Sequence, residues 1–344
     1  MFGETFIRIG WINRPRGKLH LNTKYIIATI IIIVLIASAA FVYTYYQGQI
    51  PDEGIQALQT LVDDHDYSTS LTAYPERLVS LAPSATEILY AVGAGDKVVG
   101  VTDYCDYPYN FTAWIEADNM TSVGGFKDTN VEVIASLNPD LILATGGVQQ
   151  ETVASLRDLG YKVLVLDPAN IDGVLRDIEL VGNATGKRAQ ATAVVNDITS
   201  RIDAVVNKVA GVASKPKVYY EVWFSTQSIW SVGAEGFETE LIAKAGGVNI
   251  FENDSLEHFQ TDSEVIISKN PDIILLPVGM ETVGSELPFW ESFDAVKARP
   301  AWDSISAVQN DKLYQIDGNV IERAGPRIAD MIETLAEIFH PELF

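Results

Sequence analysis

The residues able to do chemistry are few and poorly clustered. Histidines stand at 20, 65, 258 and 340, too scattered to predict a dedicated zinc site. The lone cysteine, Cys105, permits no internal disulfide and no cysteine-based metal cluster. Neither a Gly-x-Ser-x-Gly elbow nor a His-Glu-x-x-His pair occurs. Gly182 to Arg188 (GNATGKR) imitates a phosphate loop. It is one residue short, and it has Arg where Ser or Thr would bind magnesium, so it reads as a helix junction. Gly93-Ala94-Gly95 follows a helix rather than a first strand, which removes a dinucleotide fingerprint. No catalytic residue, metal ligand or resident cofactor is assigned.

What remains is a set of aromatic residues where strands should end. Tyr104 and Tyr107 follow the apolar run 98–101, Phe126 follows Gly124-Gly125, and Trp223 closes the run 217–223 with Trp230 nearby. Open α/β sheets bind ligands beyond the carboxyl ends of their strands, and aromatic faces there suit a flat, mostly apolar ligand. Taken singly, each aromatic is explained equally well as a cover for the core.

The elements that must position these residues are written as a repeat. Glu132 to Gly147 (EVIASLNPDLILATGG) and Glu264 to Gly279 (EVIISKNPDIILLPVG) match at an offset of 132 residues. Each reads as a short helix, a break at Asn-Pro and a buried strand. Thr86-Glu87-Ile88-Leu89 and Thr239-Glu240-Leu241-Ile242 form a weaker echo. Buried strands are expected at 77–81, 98–101, 141–145 and 162–166, and again at 217–223, 273–276 and 312–316. Their alternation with helical patterns predicts two α/β lobes of mainly parallel sheet, at 57–169 and 212–344. Residues 58–71 read as an added hairpin. Between the lobes, residues 170–211 carry two apolar series at helical spacing. The second predicts a helix of about 24 residues, roughly 36 Å long, able to act as a rigid strut.

Ahead of the lobes, Tyr25 to Tyr46 is 22 residues without a charge, enough to span a ~30 Å hydrocarbon core. Arg8, Arg14, Arg16, Lys18 and Lys24 all precede it, and Asp52 and Glu53 follow. The positive-inside rule then makes residues 1–24 a cytoplasmic lead, 25–46 a transmembrane anchor and 47–56 a linker, with the lobes on the extracytoplasmic side. Ala37-Ser38-Ala39 supplies the competing reading of a cleaved signal peptide. No cysteine follows the run, so a lipid anchor is not expected. The 344-residue chain has 46 acidic and 24 basic residues, a net charge of −22. So acidic a surface excludes nucleic acid as a partner. Sequons at Asn110, Asn119, Asn183 and Asn253 are compatible with an outward location.

Several stretches in order make the chain recognisable: 76–87 (ERLVSLAPSATE), 99–108 (VGVTDYCDYP), both Asn-Pro-Asp copies, 245–251 (AGGVNIF) and 322–327 (ERAGPR). Residues 76–340 resemble the family of substrate-binding proteins serving vitamin B12 and iron–siderophore ABC importers, and are most similar to its cobalamin-binding branch. The resemblance implies two Rossmann-like lobes joined by one long rigid helix, a ligand in the cleft and little closure. It also implies an importer permease as partner and, through it, an ATPase. By position, Tyr104 matches a cleft aromatic, Phe126 falls where tryptophan often stands, and Arg323 matches a cleft arginine. Thr145 and His258 depart from the pattern, each replacing an aromatic. The implied ligand is a corrinoid of the cobalamin type, with haem and ferric siderophores as alternatives.

Glu132 and Glu264 head the two repeat copies. Acids there are favoured by the helix dipole alone. Their equivalence also offers a two-fold permease one matching acid per lobe, and the resemblance makes both of them docking residues. Two other classes of function compete with binding. An enzyme acting in the same cleft lacks a nameable nucleophile–base pair, and a signalling receptor lacks a domain in the 24 residues before the anchor.

Overall fold

A computed structural model describes residues 59–225, 228–279 and 292–344. The expected lead, anchor and linker therefore lie outside the described residues. Among the described residues no helix is long and apolar enough to cross a membrane.

The expected hairpin is present. Strand β1 (Gln59–Val62) pairs antiparallel with β2 (Ser68–Leu71). Its turn is closed by the Asp63 carboxylate, which accepts from the backbone N–H groups of His65 (3.1 Å) and Tyr67 (2.9 Å).

The first-lobe sheet holds β3 (Leu78–Ser80), β4 (Val98–Val101), β5 (Thr121–Ser122), β6 (Leu141–Ala144) and β7 (Val163–Val165), in the order β5-β4-β3-β6-β7. All its pairings are parallel. A parallel sheet is covered on both faces, which is why LILA and VLV are uninterrupted apolar runs, buried throughout. The outer edge of β7 is not left open. The Asp64 N–H donates to Val165 O (3.2 Å), the Val165 N–H donates to Asp63 Oδ2 (3.0 Å), and the Thr69 hydroxyl donates to Val163 O (3.3 Å). The hairpin thus caps an edge that would otherwise present unpaired backbone groups.

Helices α1 (Pro83–Ala91) and α2 (Val131–Ser136) belong to this lobe. Two helices follow, α3 (Ile171–Ala184) and α4 (Arg188–Val209). Their junction is the imitation phosphate loop. A side chain at Gly182 would come within 2.2 Å of Ala191 Cβ, so glycine lets the two helices meet closely.

The second sheet is built from β8 (Lys217–Phe224), β9 (Ile229–Val232), β10 (Val248–Asn249), β11 (His258–Thr261), β12 (Ile273–Val278) and β13 (Leu313–Asp317), ordered β11-β9-β8-β12-β13 with β10 beside β8. Strands β8, β12 and β13 are parallel, as expected, and the two-residue β10, which was not expected, pairs parallel with β8. The antiparallel additions β9 and β11 were not foreseen, because both are short and mixed in polarity. The helices of this lobe include α5 (Phe237–Lys244), α6 (Ser263–Lys269), α7 (Gly318–Ile321) and α8 (Ile328–Phe339).

Helix α4 has 22 residues, about 33 Å at 1.5 Å per residue. It packs on α1 of the first lobe and on α5 and α8 of the second. One apolar core runs from Leu78 and Leu89 through Val181, Ile198 and Val205 to Ile242 and Leu335. Burial of each such side chain contributes roughly 1.5–3 kcal/mol, and both lobes draw on the same core.

The repeat is visible atom by atom. Asn138 and Asn270 both take the left-handed conformation, φ 46 in each, which asparagine tolerates better than most residues. The following proline stops the helix. The aspartate then caps a neighbouring strand: Asp140 Oδ2 accepts from the N–H groups of Glu76 and Arg77 (2.9 Å each), and Asp272 Oδ2 accepts from Lys217 N–H (2.9 Å).

Candidate functional site

The candidate residues Tyr104 and Phe126 lie in loops beyond the carboxyl ends of strands. After β4, Thr102 to Pro108 brings Tyr104 to a half-buried position and turns Cys105 inward. Cys105 Sγ lies 3.1 Å from Thr86 Oγ1 and 3.4 Å from Thr102 Oγ1, and burial pushes its thiol pKa up. It is a structural group rather than a nucleophile.

Phe126 is half-buried, and its loop is fixed by a residue that sequence reasoning passed over. The fully buried Gln149 amide donates to Leu81 O (2.6 Å) and Phe126 O (2.9 Å), and its oxygen accepts from Thr145 N–H (3.0 Å). One side chain thereby ties together the segments after β3, after β5 and after β6. Gly125 allows a close approach, since a Cβ there would sit 2.3 Å from Asp128 Oδ1 and 3.6 Å from the Tyr104 ring. Tyr104 and the Phe126 loop are neighbours for that reason.

The second lobe contributes two arginines from the segment between α7 and α8. Arg327 grips the buried Glu87 of α1 with two bonds, Nε to Oε2 at 2.9 Å and Nη2 to Oε1 at 2.6 Å. Its guanidinium lies 4.3 Å from the centre of the Tyr107 ring. Arg323 reaches Asp106 at 2.5 Å and Asn319 Oδ1 at 2.8 Å, with Tyr104 O and Glu87 Oε1 each at 3.4 Å. The two lobes are therefore pinned by ion pairs between residues more than 200 positions apart. Glu87, Asp106 and Arg327 were not singled out from the sequence. They lie within recognisable motifs, yet spacing alone cannot show that they pair.

Trp223 is half-buried at the carboxyl end of β8, in register with Trp230 of β9, which is 39% exposed. A second cluster forms where α5 and β11 begin. The Tyr220 hydroxyl donates to Glu322, and His258 Nε2 lies 3.5 Å from Glu238 Oε1, whose carboxylate is buried. Burial, reinforced by the nearby Glu238, pushes the Glu322 carboxyl up to about 7. The hydrogen bond to Glu238 raises the His258 imidazole.

The structure thus brings Tyr104, Phe126 and Arg323 to one corner. Glu132 and Glu264 are exposed in the first turns of α2 and α6, one per lobe. Among the described residues, no group of three or more His, Cys, Asp or Glu could hold a metal ion.

Comparison with known proteins places the chain in a family. The family described as periplasmic binding protein matches residues 78–320. An uncharacterized ABC transporter substrate-binding lipoprotein of Bacillus subtilis is 31% identical over 291 residues, covering 83% of this chain and 86% of its own length. The periplasmic vitamin B12-binding protein of Vibrio cholerae superposes with a TM-score of 0.62 at 27% identity, over 78% of this chain and 97% of that one. The periplasmic haem-binding protein of Roseiflexus sp. RS-1 in apo form gives 0.66 at 25% identity, over 78% and 99%. These relatives are described as substrate-binding, vitamin B12-binding and haem-binding proteins respectively. The chain belongs to the periplasmic binding protein family that serves vitamin B12 and iron–siderophore uptake, as the substrate-binding component of an ABC importer.

Proposed function

We propose that this protein captures a corrinoid of the cobalamin type on the extracytoplasmic side of the membrane and delivers it to its importer. The observation that carries the reading is the composition of the inter-lobe corner. Aromatic side chains stand at the strand ends, while both arginines beside them are already paired with acids. Such a corner suits a broad, largely uncharged ring with a polar rim. Tyr104, Phe126 and Trp223 stack on the ring, and Arg323 serves its amide rim. The similarity to the vitamin B12-binding protein supports the corrinoid. Haem is the second reading, favoured by a comparable likeness to a haem-binding protein.

In this reading residues 57–169 and 212–344 are the two lobes, and residues 170–211 keep the cleft preformed, with α4 as the rigid element. Residues 25–46 remain on the mature protein and hold it at the membrane. The protein stays membrane-bound through a high-salt wash, whereas a mature N-terminus at Ala40 would contradict the anchor. Glu132 and Glu264 meet the permease.

Titrating the full chain with cyanocobalamin, haemin and a ferric siderophore tests the ligand. Saturable corrinoid binding is expected, and its absence removes the proposal. Tyr104→Ala and Trp223→Ala each weaken that binding by about 1 kcal/mol or more while leaving the thermal transition in place.

A further inference from the structure

We propose that Asp106 is a specificity determinant of the cleft: by occupying Arg323 it denies that arginine to anionic ligand groups and biases the site toward uncharged, amide-rimmed ligands. The inference rests on the reading of Arg323 as a ligand-facing residue. Arg323 is engaged through both of its terminal nitrogens. Its Nη1 donates to Asp106 Oδ1 at 2.5 Å and lies 3.4 Å from Glu87 Oε1. Its Nη2 donates to Asn319 Oδ1 at 2.8 Å and lies 3.4 Å from both Tyr104 O and Asp106 Oδ2. Asn319 and the Tyr104 carbonyl are neutral. Glu87 is buried and held by two shorter bonds from Arg327, 2.9 and 2.6 Å. Asp106 is thus the acid that balances Arg323.

The two partners differ in exposure. The Arg323 side chain is only 14% exposed and is fixed from several sides, whereas that of Asp106 is 49% exposed on its loop. Asp106 therefore stands on the solvent side of the pair, where an incoming ligand group arrives. A ligand amide carbonyl can accept from a guanidinium that keeps its acid. A ligand carboxylate meets the Asp106 charge and must displace it to gain a bidentate bond. The discrimination acts against charge, not shape.

Cyanocobalamin and its monocarboxylic acids, in which one rim amide is hydrolysed, separate charge from shape. Each acid isomer and the parent are titrated separately against the wild type, Asp106→Asn and Asp106→Glu, with haemin as an unrelated dicarboxylate. In the wild type the acids bind more weakly than the parent. Asp106→Asn shifts the acid-to-parent affinity ratio by about tenfold toward at least one acid, the scale of one charge-assisted hydrogen bond. Asp106→Glu retains the wild-type ratio. Glu337→Gln, an exposed acid on α8, leaves the ratio unmoved and controls for net charge. A shift below threefold for every isomer in Asp106→Asn overturns the inference, as does an equal shift in Glu337→Gln. If the wild type binds no corrinoid, the functional reading fails separately, and haemin decides the inference: Asp106→Asn must then tighten haemin binding at least threefold. Thermal transitions of all variants are recorded alongside, and a ratio is compared only between folded proteins.

Discussion

The two lobes are alike in backbone punctuation and unlike in charge. Both use Asn-Pro-Asp in the same way, with asparagine at φ 46 and aspartate capping a neighbouring strand. Across the cleft the correspondence ends. The first lobe presents the acids Glu87 and Asp106, and the second presents Arg323 and Arg327. The second lobe also encloses an ion pair of its own: Arg299 binds Glu221 at 2.6 and 2.8 Å and lies 3.4 Å from the Phe224 ring centre. Repetition preserved what folds each lobe. The difference in charge falls where the two lobes meet.

Breaking the enclosed pair should have the largest effect. Arg299→Ala strands the buried Glu221 charge and costs about 3–5 kcal/mol of unfolding free energy in urea titrations. Arg327→Ala acts between the lobes and costs less, about 1–3 kcal/mol, because Arg323 remains 3.4 Å from Glu87. Equal costs would mean that the inter-lobe pin is as essential to folding as the enclosed pair.

Glu132 and Glu264, the proposed permease contacts, test whether the repeat has a use outside folding. Reversing both, Glu132→Lys with Glu264→Lys, leaves ligand binding intact and sharply lowers uptake in cells. Normal uptake would make them helix starts only, each favoured by roughly 0.3–1 kcal/mol through the helix dipole.

Two buried acids give a contrast that depends on pH. In α3, burial and the neighbouring Asp64 carboxylate push Asp177 up to about 9 from 3.8; in the second lobe Glu322 is raised to about 7 from 4.5. Between the unfolded and folded values the native chain keeps a proton that the unfolded chain has lost. Each acid therefore lowers stability as pH rises through its window, by up to about 1.4 kcal/mol per pH unit. Asp177→Asn should raise the melting temperature more at pH 8 than at pH 5, and Glu322→Gln should act less, with its change confined to roughly pH 4.5–7. A pH-independent gain in both would exclude titration as the cause.

Much of this fold was legible because buried parallel strands are forced to be apolar runs, as at 141–144 and 163–165, and because Asn-Pro marks a helix end. Strands β9 and β11 were not, since four mixed residues carry no clear period. The positions of Tyr104, Phe126 and Trp223 where strands should end could be read from the sequence, and their contact with a ligand is the proposal. Gln149 could not, because a buried amide in a loop looks like any surface glutamine. The Glu87–Arg327 pair spans 240 residues, and only the closed fold brings its partners together.

The most direct test is a crystal structure of the full chain grown with cyanocobalamin. The corrin ring should lie between the lobes, with Tyr104, Phe126 and Trp223 on it, its amide rim at Arg323, and the Glu87–Arg327 pair unbroken. A ring bound elsewhere, or a cleft that stays empty at saturating cyanocobalamin, would contradict the corrinoid reading.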